Sequence, residues 1–202
     1  SAEGAPETVA WLHQQVYQQL GGAIFRQLEL LHRDADPEDE KEQTNACVMT
    51  IENTRFLIDA LAALKQLAQL DDLRRETEAA YDRHLGQYLR LSMPRVFPKL
   101  VDYFSRIRQA MGTRAPAEVA FLPDLGRSAA RRIMAAGPGP KDVRRNLEAL
   151  RERVAKHFEG PVAGVVWRAV REAVAAVAAE WDGMLRQVYG GGEGAVPLPF
   201  TV

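Results

Sequence analysis

Cysteine is almost absent from this chain of 202 residues: Cys47 stands alone, so no internal disulfide can form. Its neighbours Ala46 and Val48 mark it as a small core-side residue, and a lone thiol fits a reducing compartment, which predicts a cytoplasmic protein. An excess of charge of either sign is also missing, the formal net charge being -1. That excludes a dedicated nucleic-acid binder, whose phosphate contacts need a basic surplus over the whole domain. Long uncharged runs are lacking as well. The most apolar stretch, Val162 to Trp181, holds Arg168, Arg171, Glu172 and Glu180, so no window of about 20 residues suits a bilayer. Nor does any stretch alternate apolar with polar residues as a half-buried strand would, which excludes a substantial sheet. The opening Ser-Ala-Glu-Gly-Ala-Pro does not resemble a secretory signal, and with no initiator Met the chain reads as a piece of a longer one.

Reactive constellations are scarce. Glu29-Leu30-Leu31-His32 has the Glu-x-x-His spacing that places two metal ligands on one helix face, but a carboxylate-bridged site needs a second copy, and none follows. His13, His84 and His157 each stand alone, and His157 near a helix end reads as a cation facing the negative end of the dipole. Gly137-Pro138-Gly139-Pro140 lacks the Gly-Lys-Ser/Thr ending of a phosphate loop and reads as a helix break. The acids from Asp34 to Glu42 lack the glycine and terminal ligand of a calcium loop. Ser92, Ser105 and Ser128 sit in helical contexts without a strand-turn-helix elbow, and Cys47 has no nearby base. The expectation is a protein that is not an enzyme, with no metal and no cofactor.

What the sequence does contain is helical periodicity. With 47% hydrophobic and 26% charged residues, the chain can bury a sizeable core. Val143, Leu147, Leu150, Val154 and Phe158 recur at steps of four, three, four and four, putting one apolar stripe on a helix whose other sides carry Arg, Lys and Glu. Pro140 suits its first position, and Gly160-Pro161 stops it and opens the next helix. That last helix carries Val166, Val170, Val174, Trp181, Leu185 and Val188, then meets Gly190. Earlier, Pro6 opens a helix with Val9, Leu12, Val16, Leu20, Ile24, Leu28 and Leu31 as its stripe, interrupted by Gly21-Gly22, where a kink or a close helix contact is expected. Asp36-Pro37 reads as cap and first residue of a second helix reaching about Leu67. A third starts near Leu70 and ends at Pro94, a fourth runs from Leu100 to Met111, Thr113 to Pro123 reads as a loop or short turn, and a further helix spans Asp124 to Ala136. Short connections between long helices predict an all-α protein, an elongated stack of antiparallel helices: one helical-bundle segment over 1–190 with a tail over 191–202.

Charge is polarised along the chain. From Asp34 to Asp59 eight carboxylates stand against Lys41 and Arg55, whereas from Arg127 to Lys156 nine cations stand against Asp142, Glu148 and Glu152. The basic stretch is the one candidate docking surface, with Arg127, Arg131, Arg132, Lys141, Arg144 and Arg145 as the residues that would meet a partner protein or, alternatively, acidic phospholipids. The bland alternative is a solvated face with pairs such as Glu148 with Arg151 and Glu152 with Lys156. A third possibility, a ligand-binding regulator, calls for a large apolar cavity.

Three blocks of residues resemble the C-terminal helical region of the exocyst subunit called Sec-three, or exocyst complex component one. In the first block, Glu52-Asn53 precedes Phe56 and Leu57, followed by Ala80-Tyr81, His84-Leu85, Tyr88 and the run Lys99-Leu100-Val101-Asp102-Tyr103-Phe104. Lys141 to Phe158 forms the second, with Lys141, Val143, Arg144, Leu150, Arg153, Val154, Lys156, His157 and Phe158 in the family's places; the third runs from Val166-Trp167 to Tyr189. Pro98, Val96, Arg151 and Val188 depart from the Gly, Pro, aromatic and Cys expected there. The resemblance implies a non-enzymatic rod of helical bundles within a complex that tethers secretory vesicles to the plasma membrane before fusion. It also implies other exocyst subunits as partners, small GTPases or acidic lipids reached through the complex, no nucleic acid, and a peripheral position at plasma-membrane sites of secretion.

Overall fold

The computed structural model describes residues 4–64, 70–191 and 195–200, with their side chains except those of residues 4–10, 12–14, 17, 31 and 32. Helix is the regular structure throughout the described residues, so the protein is all-α as its periodicity predicts. The chain divides into two compact units, Ser1–Leu91 and Ser92–Val202.

The first unit holds α1 (Gly4–Asp34), α2 (Glu40–Ala63) and most of α3 (Asp71–Val96). α1 and α2 are in contact across a five-residue turn, which forces them antiparallel. Gly21-Gly22 does not break α1. A Cβ on Gly21 would lie 2.5 Å from Leu73 Cδ2, so the glycine admits the close approach of α3. The apolar stripe read on α1 is corrected: Leu28 is buried, but Val16, Leu20 and Ile24 are exposed. Steps of four residues overshoot a 3.6-residue turn by about 40° each, so a run of such steps winds off the packed face. Val9, Leu12 and Leu31 of that stripe, and His13 and His32, lie outside the described side chains, as does the expected helix end near Leu67.

α2 begins later than its proline suggests. Asp39 is the cap, its Oδ1 accepting the N–H groups of Lys41 at 2.8 Å and Glu42 at 3.1 Å, while Asp36 shapes the preceding turn by accepting from Glu38. At the other end Arg74 Nη2 donates to the Leu64 carbonyl at 2.6 Å, satisfying a terminal acceptor where no glycine is present. Leu61, Leu70 and Leu73 close a small core with Leu57 and Leu64. Three threonines buried within this unit return their hydroxyls to backbone carbonyls four residues back, Thr50 to Ala46, Thr54 to Thr50 and Thr77 to Leu73.

Pro94 lies inside α3 rather than ending it. It forfeits one helical N–H, yet Phe97 N–H still donates to the Met93 carbonyl at 2.9 Å, and Met93, Val96 and Phe97 are all buried, so packing carries the helix two residues further. Lys99 then takes φ 70°, a left-handed conformation, at the start of the next helix.

The second unit adds α4 (Leu100–Met111), the single turn α5 (Pro116–Val119), α6 (Arg127–Ala136), α7 (Pro140–His157) and α8 (Gly160–Tyr189). The loop or short turn expected over 113–123 holds a single helical turn that buries Val119, and α6 starts at Arg127, with Gly126 as its cap, rather than at Asp124. α8 packs against α4, α5 and α7. Its Trp181 stacks on Phe104 with ring centres 4.3 Å apart and meets the edge of Phe97 at 5.1 Å, while Phe97 stacks on Phe200 at 4.9 Å. Val196 and Phe200, in the stretch expected to be a tail, are therefore core residues.

Candidate functional site

Each cation singled out in the sequence has a definite place. Arg127 begins α6, and its Nη2 donates to the Tyr189 carbonyl at 2.5 Å, so a guanidinium closes the negative end of α8 beside Gly190. Gly190 has φ 75°, a backbone state that favours glycine. Arg127 thus spends one of its donors on the end of α8 while remaining exposed. Arg131 and Arg132 lie exposed on α6, and Lys141, Arg144 and Arg145 lie exposed on the first two turns of α7. Arg145 pairs with Asp142 Oδ1 at 2.8 Å, while Asp142 Oδ2 accepts the Gly139 N–H at 3.3 Å and so caps the helix start. The pairs anticipated between Glu148 and Arg151 and between Glu152 and Lys156 do not form, and neither residue couple comes within ion-pair distance.

The basic stretch therefore does not present its six candidates as equals. A different grouping of charge appears on α7's C-terminal half. Arg95, near the end of α3, faces Asn146, Glu152, Arg153, Lys156 and His157 across a groove of about 480 Å³ floored by Ala149 and Leu150. Asn146 Nδ2 donates to the Val96 carbonyl at 3.1 Å and ties the two walls together. Burial, then the nearby Arg153 and Arg95, push the His157 imidazole below its usual pKa. Where a dipole-stabilised cation is expected at His157, burial first and then the two guanidiniums disfavour its charged form. Arg153, Lys156 and His157 are visible as neighbours on one helix, but nothing in the sequence brings Arg95 to them.

Elsewhere the titratable groups serve packing. Tyr189 donates its hydroxyl to the Leu125 carbonyl at 2.5 Å, so the 2.7 Å bond between the two phenols must be donated by Tyr103. Burial raises both phenols above their ordinary range, and they stay neutral. Burial likewise pushes the Cys47 thiol up to about 11, only partly opposed by Arg90, so it is not a thiolate at neutral pH. Glu29 of the Glu-x-x-His spacing is engaged by Arg83 at 3.1 Å and lies 3.5 Å from His84 Nε2. Among the described residues no three His, Cys, Asp or Glu side chains converge as metal ligands. No helix of the described residues is long and apolar enough to cross a membrane.

Many residues that carry the family resemblance lie in the core: Tyr81, His84, Tyr88, Tyr103, Phe104 and Phe158 are all buried. Their burial gives them a part in how the helices pack. A family model described as exocyst complex component Sec3, C-terminal, matches residues 7–191. The chain is similar to the Drosophila melanogaster protein named exocyst complex component 1, with 29% identity over 160 residues, covering 77% of this chain and 17% of that protein. The chain thus corresponds to less than a fifth of that relative's length. No solved structure matches.

Proposed function

The chain belongs to the family of the C-terminal region of exocyst component Sec-three, and on that premise we propose that it is a non-enzymatic scaffold that docks other exocyst subunits in the complex. The complex would tether secretory vesicles to the plasma membrane before fusion, with this protein in the cytoplasm and peripheral at sites of secretion. Small GTPases and lipids would be reached through other parts of the assembly. The observation that carries this reading is the family match over 7–191, laid on an all-helical frame. Helices that spend their apolar stripes inside the fold keep polar faces for neighbours, and packed helices supply the stiffness that tethering needs.

Docking to acidic lipids through the stretch 127–156 has less to stand on, since Arg127 is committed to Tyr189 and Arg145 to Asp142. The test is a pull-down of purified exocyst subunits on the 202-residue chain, comparing wild type with Arg144→Glu and Arg145→Glu. Retention of at least one subunit is expected, weakened by the reversals if the start of α7 is the contact. A wild-type chain that retains none of the subunits overturns the scaffold reading.

A further inference from the structure

α2 carries apolar side chains on two sides, and the fold buries one of them. The packed side holds Ala46, Cys47, Ile51 and Leu61, all buried. On another side Met49, Asn53, Phe56, Ala60 and Ala63 follow at steps of four, three, four and three, and each is exposed, Phe56 by 76% and Met49 by 46%. A lone exposed apolar residue needs no explanation, and helix propensity gives none for Phe56, since Phe forms helix less well than Ala or Glu. A row in register is different. Alternating steps of four and three average 3.5 residues, the repeat of a seam that meets a second helix lengthwise. The row runs for ~21 Å, about four turns, with Met49 and Phe56 as its two large knobs. Ala60 and Ala63 are small enough to let another backbone come close. Asn53, whose Nδ2 donates to the Met49 carbonyl at 2.7 Å, puts one polar group in the row, a device that fixes register between paired helices.

Charge selects the occupant. Glu52 and Asp59 precede Asn53 and Ala60 and line the edge of the row away from the packed side, the place where paired helices match their flanking charges. Both already interact within the fold, Asp59 with Arg55 Nη2 at 2.6 Å. A carboxylate with about four acceptor positions takes a second cation beside the first. The surrounding stretch from Asp34 to Asp59 holds eight carboxylates against two cations, so its field favours a cationic partner. We infer that this face of α2 docks a single basic amphipathic helix of a partner protein. Apolar residues of that helix, at the same spacing, would lie along Met49 and Phe56, with Lys or Arg flanking them beside Glu52 and Asp59. A second copy of this chain fits less well. Two α2 faces would bring like charges together, and the basic helices α6 and α7 bury apolar residues of their own, Met134 on one and Val143, Leu150 and Val154 on the other. The inference rests on the scaffold reading and names the chemistry of one contact within it.

The test uses the full 202-residue chain and two labelled synthetic helical peptides of about three heptads, with Leu along the seam and either Lys or Glu at the flanking positions. The Lys peptide should bind wild type, and the double variant Met49→Ser with Phe56→Ser should lose about tenfold in affinity while its thermal melt stays unchanged. Glu52→Lys with Asp59→Lys should exchange the preference, so that the Glu peptide becomes the tighter ligand. Phe121→Ser, in the second unit, should leave binding as it is. The assignment fails if the Lys peptide does not bind, if the Glu peptide binds wild type equally well, or if the serine variant keeps full affinity. It fails also if sedimentation shows the wild-type chain pairing with itself through Phe56. Exocyst subunits retained equally by wild type and the serine variant would remove this face and leave the scaffold standing. A wild-type chain that binds the Lys peptide yet retains no subunit would do the reverse.

Discussion

At the scale of single residues, environment overrides the ordinary preference of a side chain. His157 is the clearest case: Arg95 from α3, Glu152, Arg153 and Lys156 from α7 surround it, and burial together with the two guanidiniums disfavours its charged form. Its folded pKa lies below the ordinary 6.5, so the unfolded chain takes up a proton on acidification that the folded chain resists. His157 should therefore cost nothing above about pH 7 and destabilise progressively as the pH falls through 6.5 towards its lower folded value. Melting temperatures of wild type and His157→Gln, followed from about pH 8 to about pH 5, should diverge only on the acid side, with the Gln variant the less sensitive. Identical profiles would show that the histidine titrates as it does in water. Arg127 and Tyr189 teach the same lesson: each donates to a carbonyl that only folding brings near.

At the scale of elements, local rules set where helices lie and packing decides their ends. Most helices fall where periodicity and Pro-Gly punctuation place them, because 3.6-residue spacing of apolar groups is a short-range property. The errors have physical causes. Pro94 does not stop α3, since the burial of Met93, Val96 and Phe97 outweighs one missing N–H, and Asp39 rather than Asp36 caps α2, since its carboxylate reaches two free backbone donors. Gly21-Gly22 divides into two roles that sequence cannot separate. Gly21 faces Leu73 at 2.5 Å from a would-be Cβ, whereas Gly22 meets only the end of Arg26. Gly21→Leu should cost about 1–3 kcal/mol by overpacking α1 against α3. Gly22→Ala should gain about 0.5–1 kcal/mol by stiffening the unfolded helix. Urea unfolding midpoints moving in the same direction for both variants would refute that division.

At the scale of the whole molecule, class and family were legible and the functional surface was not. The all-α class follows from patterning in nearly every window, and the family resemblance rests largely on residues that build the core, such as Tyr103 and Phe104. The final stretch shows the limit of such reading: Pro, Gly and small residues suggest a tail, yet Phe200 stacks on Phe97 beside Trp181. Phe200→Ala should lower stability by about 3–5 kcal/mol, seen as an earlier thermal transition with little change in helix content, and an unaltered melt would place that ring outside the core. Sequence alone determined most of the helices and the apolar faces of α7 and α8, because these depend on residues within a few turns of one another. Tertiary structure alone decided which distant groups the cations meet within the fold. Arg127 reaching Tyr189 and Arg95 reaching Arg153 join positions far apart in the chain, and such pairings follow from how whole helices pack rather than from any local pattern.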